Sequence, residues 1–186
     1  MAEEGGPSPS GELRGSELLA APLVSELVAL RIVAVLGTLN DDGSIHVVPM
    51  WFANDGDTLL LATGHASRKV RNLERDARAT VMLHDSRPGF EVCGVSMSGR
   101  GEIVRGPEAR PLIARVHRKY VSPDGDRLEE VAEFLASDDV ALRFVPERGL
   151  LWDERPSGAA GALADAGGAY PLVPTSPRAG RQASRS

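Results

Sequence analysis

The chain has 186 residues, a formal net charge of −5, 42% hydrophobic residues and 25% charged residues. This length and composition are ordinary for one globular domain with flexible ends. Glu26 and Arg31 interrupt the longest apolar stretch, so no membrane-spanning helix is expected, and the acidic start lacks the basic region of a secretory signal. The single cysteine, Cys93, excludes an intrachain disulfide, and the acidic balance argues against a dedicated nucleic-acid binder. We therefore expect a cytoplasmic protein with neither a membrane nor a nucleic-acid partner.

Glycine and proline are concentrated at the two ends of the chain. Residues 1–15 and 155–186 are rich in small residues and hold few large apolar side chains. Such segments cannot offset the entropy lost when a chain becomes ordered. We predict a disordered N-terminal segment at 1–15, one folded domain at 16–154 and a disordered Ala/Gly/Pro/Ser-rich tail at 155–186.

The first part of the folded domain is predicted to contain helical turns followed by a β-meander. Leucines at helical spacing over residues 16–30 indicate a helical segment, which Pro22 divides or limits to two short helices. Three strands follow over residues 32–63. Their turns, at 40–44 and 54–57, carry Asp-Gly and Asn-Asp-Gly sequences typical of hairpins.

The middle of the chain alternates between helix and strand. A short helix is predicted at 67–76 and a fourth strand at 77–84. A long strand follows at 90–104, in which Gly94 and Gly99 indicate bulges or a close approach of neighbouring backbone.

The last part of the domain is predicted to form helices at 107–120 and 127–136, then two closing strands at 140–145 and 149–152. Many antiparallel strands with helices inserted late favour a small closed or nearly closed β-barrel with peripheral helices. The predicted class is mainly β (α+β).

The clearest chemical signal lies between the third strand and the first central helix. A strand ends at Thr63 and a helix begins near Ser67, and a helix N-terminus presents unpaired N–H groups and a partial positive charge. Arg68, Lys69 and Arg71 add three cations, which oppose the helix dipole unless an anion is bound there. A bound phosphate and a solvated basic face are the two interpretations that these residues leave open.

This segment resembles the phosphate motif of the pyridoxamine-phosphate-oxidase-like, split-β-barrel flavoprotein superfamily. The resemblance covers residues 28–153 and implies a split β-barrel of six to seven antiparallel strands in Greek-key order. It rests on the order and spacing of several short pieces, each weak by itself. They are Thr38-Leu-Asn-Asp-Asp-Gly-Ser, His46-Val-Val-Pro-Met-Trp-Phe, Ala62-Thr63, Ser67-Arg-Lys-Val-Arg-Asn-Leu and Ser98-Gly-Arg-Gly-Glu-Ile.

The same resemblance implies a set of cofactor-binding residues. Arg68 and Lys69 would hold the cofactor phosphate, Thr63 and Ser67 would add hydroxyl donors, and Asn72 would steady the loop. The strand around Val47–Trp51 would lie along the tricyclic ring and present backbone groups to its pyrimidine edge. The full expected set is Val47, Val48, Pro49, Met50, Trp51, Ala62, Thr63, Ser67, Arg68, Lys69 and Asn72.

The C-terminal region affects the choice of cofactor. Pyridoxamine-phosphate oxidases carry basic residues there that hold the phosphate of the substrate, whereas here the region passes into the small-residue tail. The chain therefore resembles more closely the enzymes that use the deazaflavin coenzyme F420, our first choice, or FMN. Arg71, Arg75 and Arg78 would line a path for the acidic tail of F420. The family also implies a homodimer with cofactor sites between subunits, and Trp152 as a stacking or dimer residue, with core packing as the alternative.

These features predict an F420-dependent or FMN-dependent oxidoreductase that transfers a hydride between the coenzyme and a small organic substrate. The alternative is a non-catalytic flavin or F420 carrier or sensor, and an unliganded interaction barrel is a third interpretation. His65, in the phosphate loop, is the weak candidate for a catalytic residue because histidine titrates near working pH. The scattered histidines show no metal-ligand spacing, so no metal is expected.

Overall fold

The computed structural model describes residues 12–15, 17–86, 92–129 and 139–155, together with residue 162. Within these ranges the chain forms eight strands and four α-helices. The strands are β1 (Glu12–Arg14), β2 (Ala34–Leu39), β3 (Ile45–Met50), β4 (Phe52–Asp55), β5 (Thr58–Gly64), β6 (Arg78–Ser86), β7 (Val92–Val104) and β8 (Asp139–Asp153). The helices are α1 (Glu17–Ala20), α2 (Pro22–Ala29), α3 (Arg68–Arg75) and α4 (Ala109–Tyr120), with short 3-10 helices at Gly106–Glu108 and Gly125–Arg127.

The strands form one antiparallel sheet in the order β3-β2-β6-β7-β8-β5-β4. Strand β8 has 15 residues, and its first half pairs with β5 while its second half pairs with β1. Strand β7 pairs along the other edge of β8. This curled antiparallel sheet with marginal helices is a split β-barrel of the α+β class, which confirms the predicted fold class.

The inner face of the sheet carries the main hydrophobic core. Residues along β2 alternate between buried and half-buried, as the two-residue period of a strand requires. The side chains of Leu36, Val81 and Phe144 are almost fully buried, and Leu18 and Leu27 from the N-terminal helices pack into the same cluster. Each such side chain contributes about 1.5–3 kcal/mol by leaving water. The barrel interior is thus filled by side chains, and a ligand site has to lie at its edges.

The turns of the first two hairpins, at residues 40–44 and 54–57, form where the sequence predicted them. Gly43 has φ of 80° and Gly56 has φ of 67°, a region that residues with a Cβ adopt only under strain. Pro22 begins α2 and separates it from α1, because its fixed φ suits the first helical position while its ring cannot follow a preceding helical turn. Both hairpin turns and the division at Pro22 are confirmed.

Two glycines of β7 allow neighbouring groups to come unusually close. A Cβ on Gly94 would lie 2.3 Å from the ring of Trp152, and a Cβ on Gly99 would lie 2.1 Å from the carbonyl oxygen of Val145. The prediction of bulges or close approach at these glycines is therefore confirmed. The Trp152 ring occupies the space above Gly94, its directly paired residue.

The prediction of two separate closing strands was wrong. Strand β8 continues through Pro146, which is paired with Gly99 where the register between β7 and β8 shifts. A bulge at this position accommodates proline, since the missing N–H is not needed by the ladder there. One continuous strand therefore replaces the two predicted strands.

Part of the N-terminal segment predicted to be disordered is a strand in the structure. Strand β1 pairs with Arg148–Leu150, and Leu13 packs against the main core, so this part of the predicted disordered segment is a strand. The remainder of that segment, the predicted helix beyond residue 129 and the tail after residue 155, residue 162 excepted, lie outside the described residues.

Helix α4 covers the outer side of the sheet over β4, β5 and β8. Its Val116 forms a second apolar cluster with Ala53 and Leu60, to which Leu112 and Trp51 add half-buried surface. In the described part of the chain, no helix is long and apolar enough to cross a lipid bilayer.

Candidate functional site

The loop between β5 and α3 brings two predicted hydroxyl donors to one helix N-terminus. The hydroxyl of buried Thr63 lies 3.4 Å from that of Ser67. Ser67 precedes α3 with an extended backbone and makes no side-chain hydrogen bond to the first helical turn. The first N–H groups of α3 therefore have no side-chain cap, which is the arrangement that receives an anion.

Arg68 and Lys69 add positive charge at the same end of α3. Arg68 is exposed and Lys69 is half-buried, and neither forms an ion pair with another described residue. Burial lowers the pKa of Lys69, and the negative charge of Asp139 partly opposes that shift. A half-buried ammonium that forms no ion pair is stabilised when an anion binds beside it.

Arg71, the third cation of the segment, holds the loop itself. Its guanidinium donates a 2.5 Å hydrogen bond to the backbone oxygen of Ala66. His65 is exposed in the same loop, and Ala62 lies further back in β5, where it packs against the cluster beneath α4. The expected contact of His65 with a cofactor stays a prediction.

Asn72 ties α3 to the end of β2. Its side chain is only 2% exposed, and its amide nitrogen donates 3.0 Å hydrogen bonds to the hydroxyl of Thr38 and to the side-chain oxygen of Asn40. These bonds place the amide on the side of α3 that faces β2. Asn72 thus fixes how α3 sits against the sheet, and a direct contact with a cofactor stays a prediction.

Two of the arginines expected along a cofactor tail are engaged by the protein's own carboxylates. Arg75 forms a 2.6 Å ion pair with Asp41 and also donates to the backbone oxygen of Leu39. Arg78 forms a 2.6 Å ion pair with Asp76, and hydrogen bonds from Arg78 lower the pKa of Asp76 to about 2. A ligand tail would have to compete with these pairs.

Strand β3, expected to lie along the ring, is the last strand on its side of the sheet. It pairs with β2, so among the described strands its second edge has no partner. Val47 and Pro49 are exposed, Val48 is half-buried against the core, and Met50 is buried. The free edge leaves backbone groups of β3 available to a ligand.

Trp51 directs its ring toward α4. The ring is stacked on Tyr120 with centroids 4.9 Å apart and meets His117 edge-on at 6.2 Å. The Tyr120 hydroxyl donates to the backbone oxygen of Ile32 at 2.6 Å and accepts the N–H of Phe52. The side chain of Trp51 therefore belongs to the packing of α4, and only its backbone remains for the expected ring contact.

The outer face of the sheet forms an open groove of about 760 Å³. Small and apolar residues make up most of its lining, together with three arginines and a glutamate. Ile45 and Val47 on this face are 68% and 57% exposed, and Leu150 of β8 is 57% exposed as well. The groove lining includes Val35, Ile45, Val47, Thr80, Ser98 and Arg148.

Two carboxylates near the site were not singled out from the sequence. Asp42 lies at the tip of the hairpin between β2 and β3, where hydrogen bonds from Ser44 lower its pKa and the charge of Arg68 adds a smaller effect. Asp139 begins β8 directly opposite Gly64. Both come from segments distant in sequence from α3. The Asp-Gly turn signal placed Asp42 in a hairpin but gave no indication that the hairpin lies against α3.

The crystal structure of the conserved hypothetical protein Rv2991 from Mycobacterium tuberculosis is 29% identical, with a TM-score of 0.61 over 73% of this chain and 85% of that one. An F420 reductase is 24% identical, with a TM-score of 0.54 over 67% of this chain and 94% of that one. The heme storage protein HutZ from Vibrio cholerae is 18% identical, with a TM-score of 0.57 over 72% and 94% of the two chains.

No curated protein sequence matches the chain. The two likenesses under 25% identity concern the fold alone. The family model described as pyridoxamine 5′-phosphate oxidase matches residues 21–153, which include β2 to β8, the loop before α3 and the basic first turn of that helix. The chain belongs to the pyridoxamine 5′-phosphate oxidase family.

Proposed function

We propose that this protein binds F420, or FMN as the second choice, and acts as an oxidoreductase that transfers a hydride between that coenzyme and a small organic substrate. The observation that carries the proposal is the uncapped, basic N-terminus of α3 in a chain of this family. The helix packs on β2, the strand that pairs with the edge strand β3. The coenzyme supplies the hydride chemistry when bound, and the protein supplies binding and orientation.

The donor set at α3 suits a phosphate group. Arg68 offers a planar fork and Lys69 a point charge, and the hydroxyls of Thr63 and Ser67 lie within 3.4 Å of each other. Lys69 is partly desolvated without an ion-pair partner among the described residues. A phosphate would satisfy this ammonium and reverse the unfavourable placement of cations at a helix N-terminus.

The ring of the coenzyme is expected along β3. In an unpaired edge strand, backbone N–H and C=O groups are fixed in direction by the ladder on the other side. Such groups match the alternating donors and acceptors of a flavin or deazaflavin pyrimidine. Side chains fill the barrel interior, so the ring would bind at the edge of the sheet. Water would have to be excluded from the ring there.

A homodimer is part of the proposal. The apolar outer face around Ile45, Val47 and Leu150 is large and exposed in the single chain, and such faces on a sheet are usually covered by a partner. A second copy of the chain would bury this face and bring its own residues close to β3, which completes the cofactor site between subunits.

Purified protein provides the direct test. Absorbance and mass analysis identify any coenzyme that co-purifies, and separate fluorescence titrations with FMN and F420 measure binding. Arg68→Ala and Lys69→Ala should each weaken binding by about ten- to a hundredfold, because a charge-assisted hydrogen bond contributes about 1.5–3 kcal/mol. Arg127→Ala is the matched control, since Arg127 is exposed and pairs with Asp124 beyond α4. Unchanged affinity in the Arg68 and Lys69 variants would contradict the proposal.

Turnover separates the enzyme from the carrier or sensor. Oxidation of the reduced, bound coenzyme by an electron-poor alkene or a quinone should proceed catalytically if the protein is an oxidoreductase. Tight coenzyme binding without turnover over a broad panel of acceptors would assign the protein to the carrier class instead.

A further inference from the structure

The groove on the outer face of the sheet is lined by both cations and a carboxylate. Its charged lining residues, among those that the structure describes, are Arg14, Arg78, Arg148 and Glu147. Arg14 forms a 3.1 Å ion pair with Glu12, and Arg78 forms its 2.6 Å ion pair with Asp76. Within the described part of the chain, neither Arg148 nor Glu147 forms an ion pair. One cation and one anion of the groove therefore have no counter-charge from their own chain.

A bulge in β8 places these two neighbouring residues in the same groove. Successive side chains of a regular strand point to opposite faces of the sheet. Arg148 is paired with Ser98 of β7, and the next residue of β8 with a partner in β7 is Pro146. Glu147 lies between them without a paired residue, and a bulge of this kind redirects a side chain. As a result both Glu147 and Arg148 are exposed and line the groove.

The surroundings of Arg148 favour contact with a negatively charged group. Arg14 of β1 is paired directly with Arg148, and like charges opposite each other in a sheet are destabilising. On the two sides of Glu147 and Arg148 along β8, Val145 and Leu150 are 42% and 57% exposed. Charged groups among exposed apolar side chains are suited to a protein interface, where the apolar area supplies burial and the charges supply specificity.

Twofold symmetry provides a partner for both charges at once. In a symmetric dimer the same surface patch is used by both copies, so each contact between two residues occurs twice with the roles exchanged. Glu147 is the carboxylate among the described residues that line the groove. A second copy can therefore neutralise Arg148 with the partner's Glu147 and receive the reverse contact. Covering Arg148 without such a contact would leave a desolvated, unpaired charge, which costs free energy.

We infer that Glu147 and Arg148 are the residues by which two copies of this chain recognise each other across the groove, with β8 close to the twofold axis. This inference rests on the homodimer of the proposed function and identifies the contact that specifies it. Each Arg148 pairs with the partner's Glu147, so the dimer contains two reciprocal ion pairs beside the apolar surface of Ile45, Val47 and Leu150.

The test uses two charge reversals, Arg148→Glu and Glu147→Arg, with molar mass measured by size-exclusion chromatography and light scattering at low ionic strength. Each variant alone should have a dimer dissociation constant raised by about a hundredfold or more, because two ion pairs become two like-charge contacts. An equimolar mixture of the two variants should form dimers again, because one chain then presents carboxylates where the other presents guanidinium groups. Recovery in the mixture also shows that both variants are folded.

Arg110→Glu is the control, because Arg110 is exposed on α4 and does not line the groove. It should leave the dimer unchanged. Single variants that remain dimers would overturn the inference and leave the proposed coenzyme binding standing. Monomers that mixing does not restore would also overturn it and would assign Arg148 to an anionic ligand.

Coenzyme titration of the same samples separates this inference from the proposed function. A monomeric wild type that binds F420 or FMN would overturn the inference together with the homodimer, while coenzyme binding stands. A wild-type dimer that responds to both charge reversals and binds neither coenzyme would support the inference and overturn the proposed oxidoreductase.

Discussion

The side-chain amide of Asn72 and the hydroxyl of Thr38 lie 3.0 Å apart, and both side chains are almost completely buried. The same amide also reaches Asn40. Since Thr38 belongs to β2 and β2 pairs with β3, this contact sets the distance between the helix proposed to hold the phosphate and the strand proposed to hold the ring.

Replacing Asn72 with alanine should therefore destabilise the fold. The change removes two hydrogen bonds and leaves the Thr38 hydroxyl without its donor, a loss of about 2 kcal/mol in the free energy of unfolding. Urea denaturation measures it. Asn54→Ala is the control, since Asn54 is exposed in β4 and its loss should stay within about 0.5 kcal/mol. Equal effects of the two substitutions would contradict the role given to Asn72.

The close approach of Gly99 in β7 to the backbone of β8 predicts a second destabilised variant. Gly99→Ala would place a methyl group 2.1 Å from the Val145 carbonyl oxygen, and both strands lie inside the sheet. A loss of about 3 kcal/mol is expected, at the upper end for overpacking. In Gly37→Ala the nearest atom lies 3.7 Å away, so this control should change the thermal midpoint little. Equal thermal midpoints for the Gly99 and Gly37 variants would contradict the prediction, because they would mean that β7 and β8 move apart to accept the methyl group at no cost in stability.

The exposed outer face predicts a change of oligomeric state. Ile45→Arg puts a charge into a groove that a second subunit is proposed to cover, so the protein should shift from dimer to monomer in size-exclusion chromatography with light scattering. Leu128→Arg is the control, because it makes the same type of substitution at a leucine that is 57% exposed. Leu128 lies next to the 3-10 helix beyond α4, away from the groove. A dimer that survives Ile45→Arg and dissociates with Leu128→Arg would place the interface elsewhere.

Lys119 predicts a pH dependence of stability. Its ammonium donates to the backbone oxygen of Val28 at 2.8 Å and lies 3.5 Å from the centroid of the Phe52 ring, and burial lowers its pKa to about 8 from 10.5. Between these values the unfolded chain binds more protons than the folded chain. The free energy of unfolding therefore rises with pH from about 8 upward, by about 1 kcal/mol once solvent screening of the partly exposed side chain is included.

Urea unfolding at pH 7.5 and pH 9.5 tests this in the wild type and in Lys119→Met. The stability of the wild type relative to the variant should increase over that interval. Keeping below pH 10 avoids the neighbouring Tyr120, whose pKa burial raises and which acts in the opposite direction at higher pH. A difference between the two proteins that does not change with pH would show that Lys119 titrates normally.

Features that depend on a few neighbouring residues were predictable from the sequence. The positive φ of Gly43, the division of helices at Pro22 and the basic start of α3 all follow from residue types within one turn of chain. The order of several such pieces also predicted the split β-barrel, which is why the family and the fold class were identified without knowledge of any contact.

Tertiary structure decided which of these local features meet. Asn72 and Thr38 are 34 residues apart in sequence, and nothing in either segment indicates that a buried amide connects them. The same holds for the position of Asp139 opposite Gly64, and for the continuation of β8 through Pro146, which depends on a bulge opposite Gly99. Backbone preferences and turn chemistry are local and appear in the sequence, whereas the packing of the site arises from contacts between segments that only the folded sheet brings together.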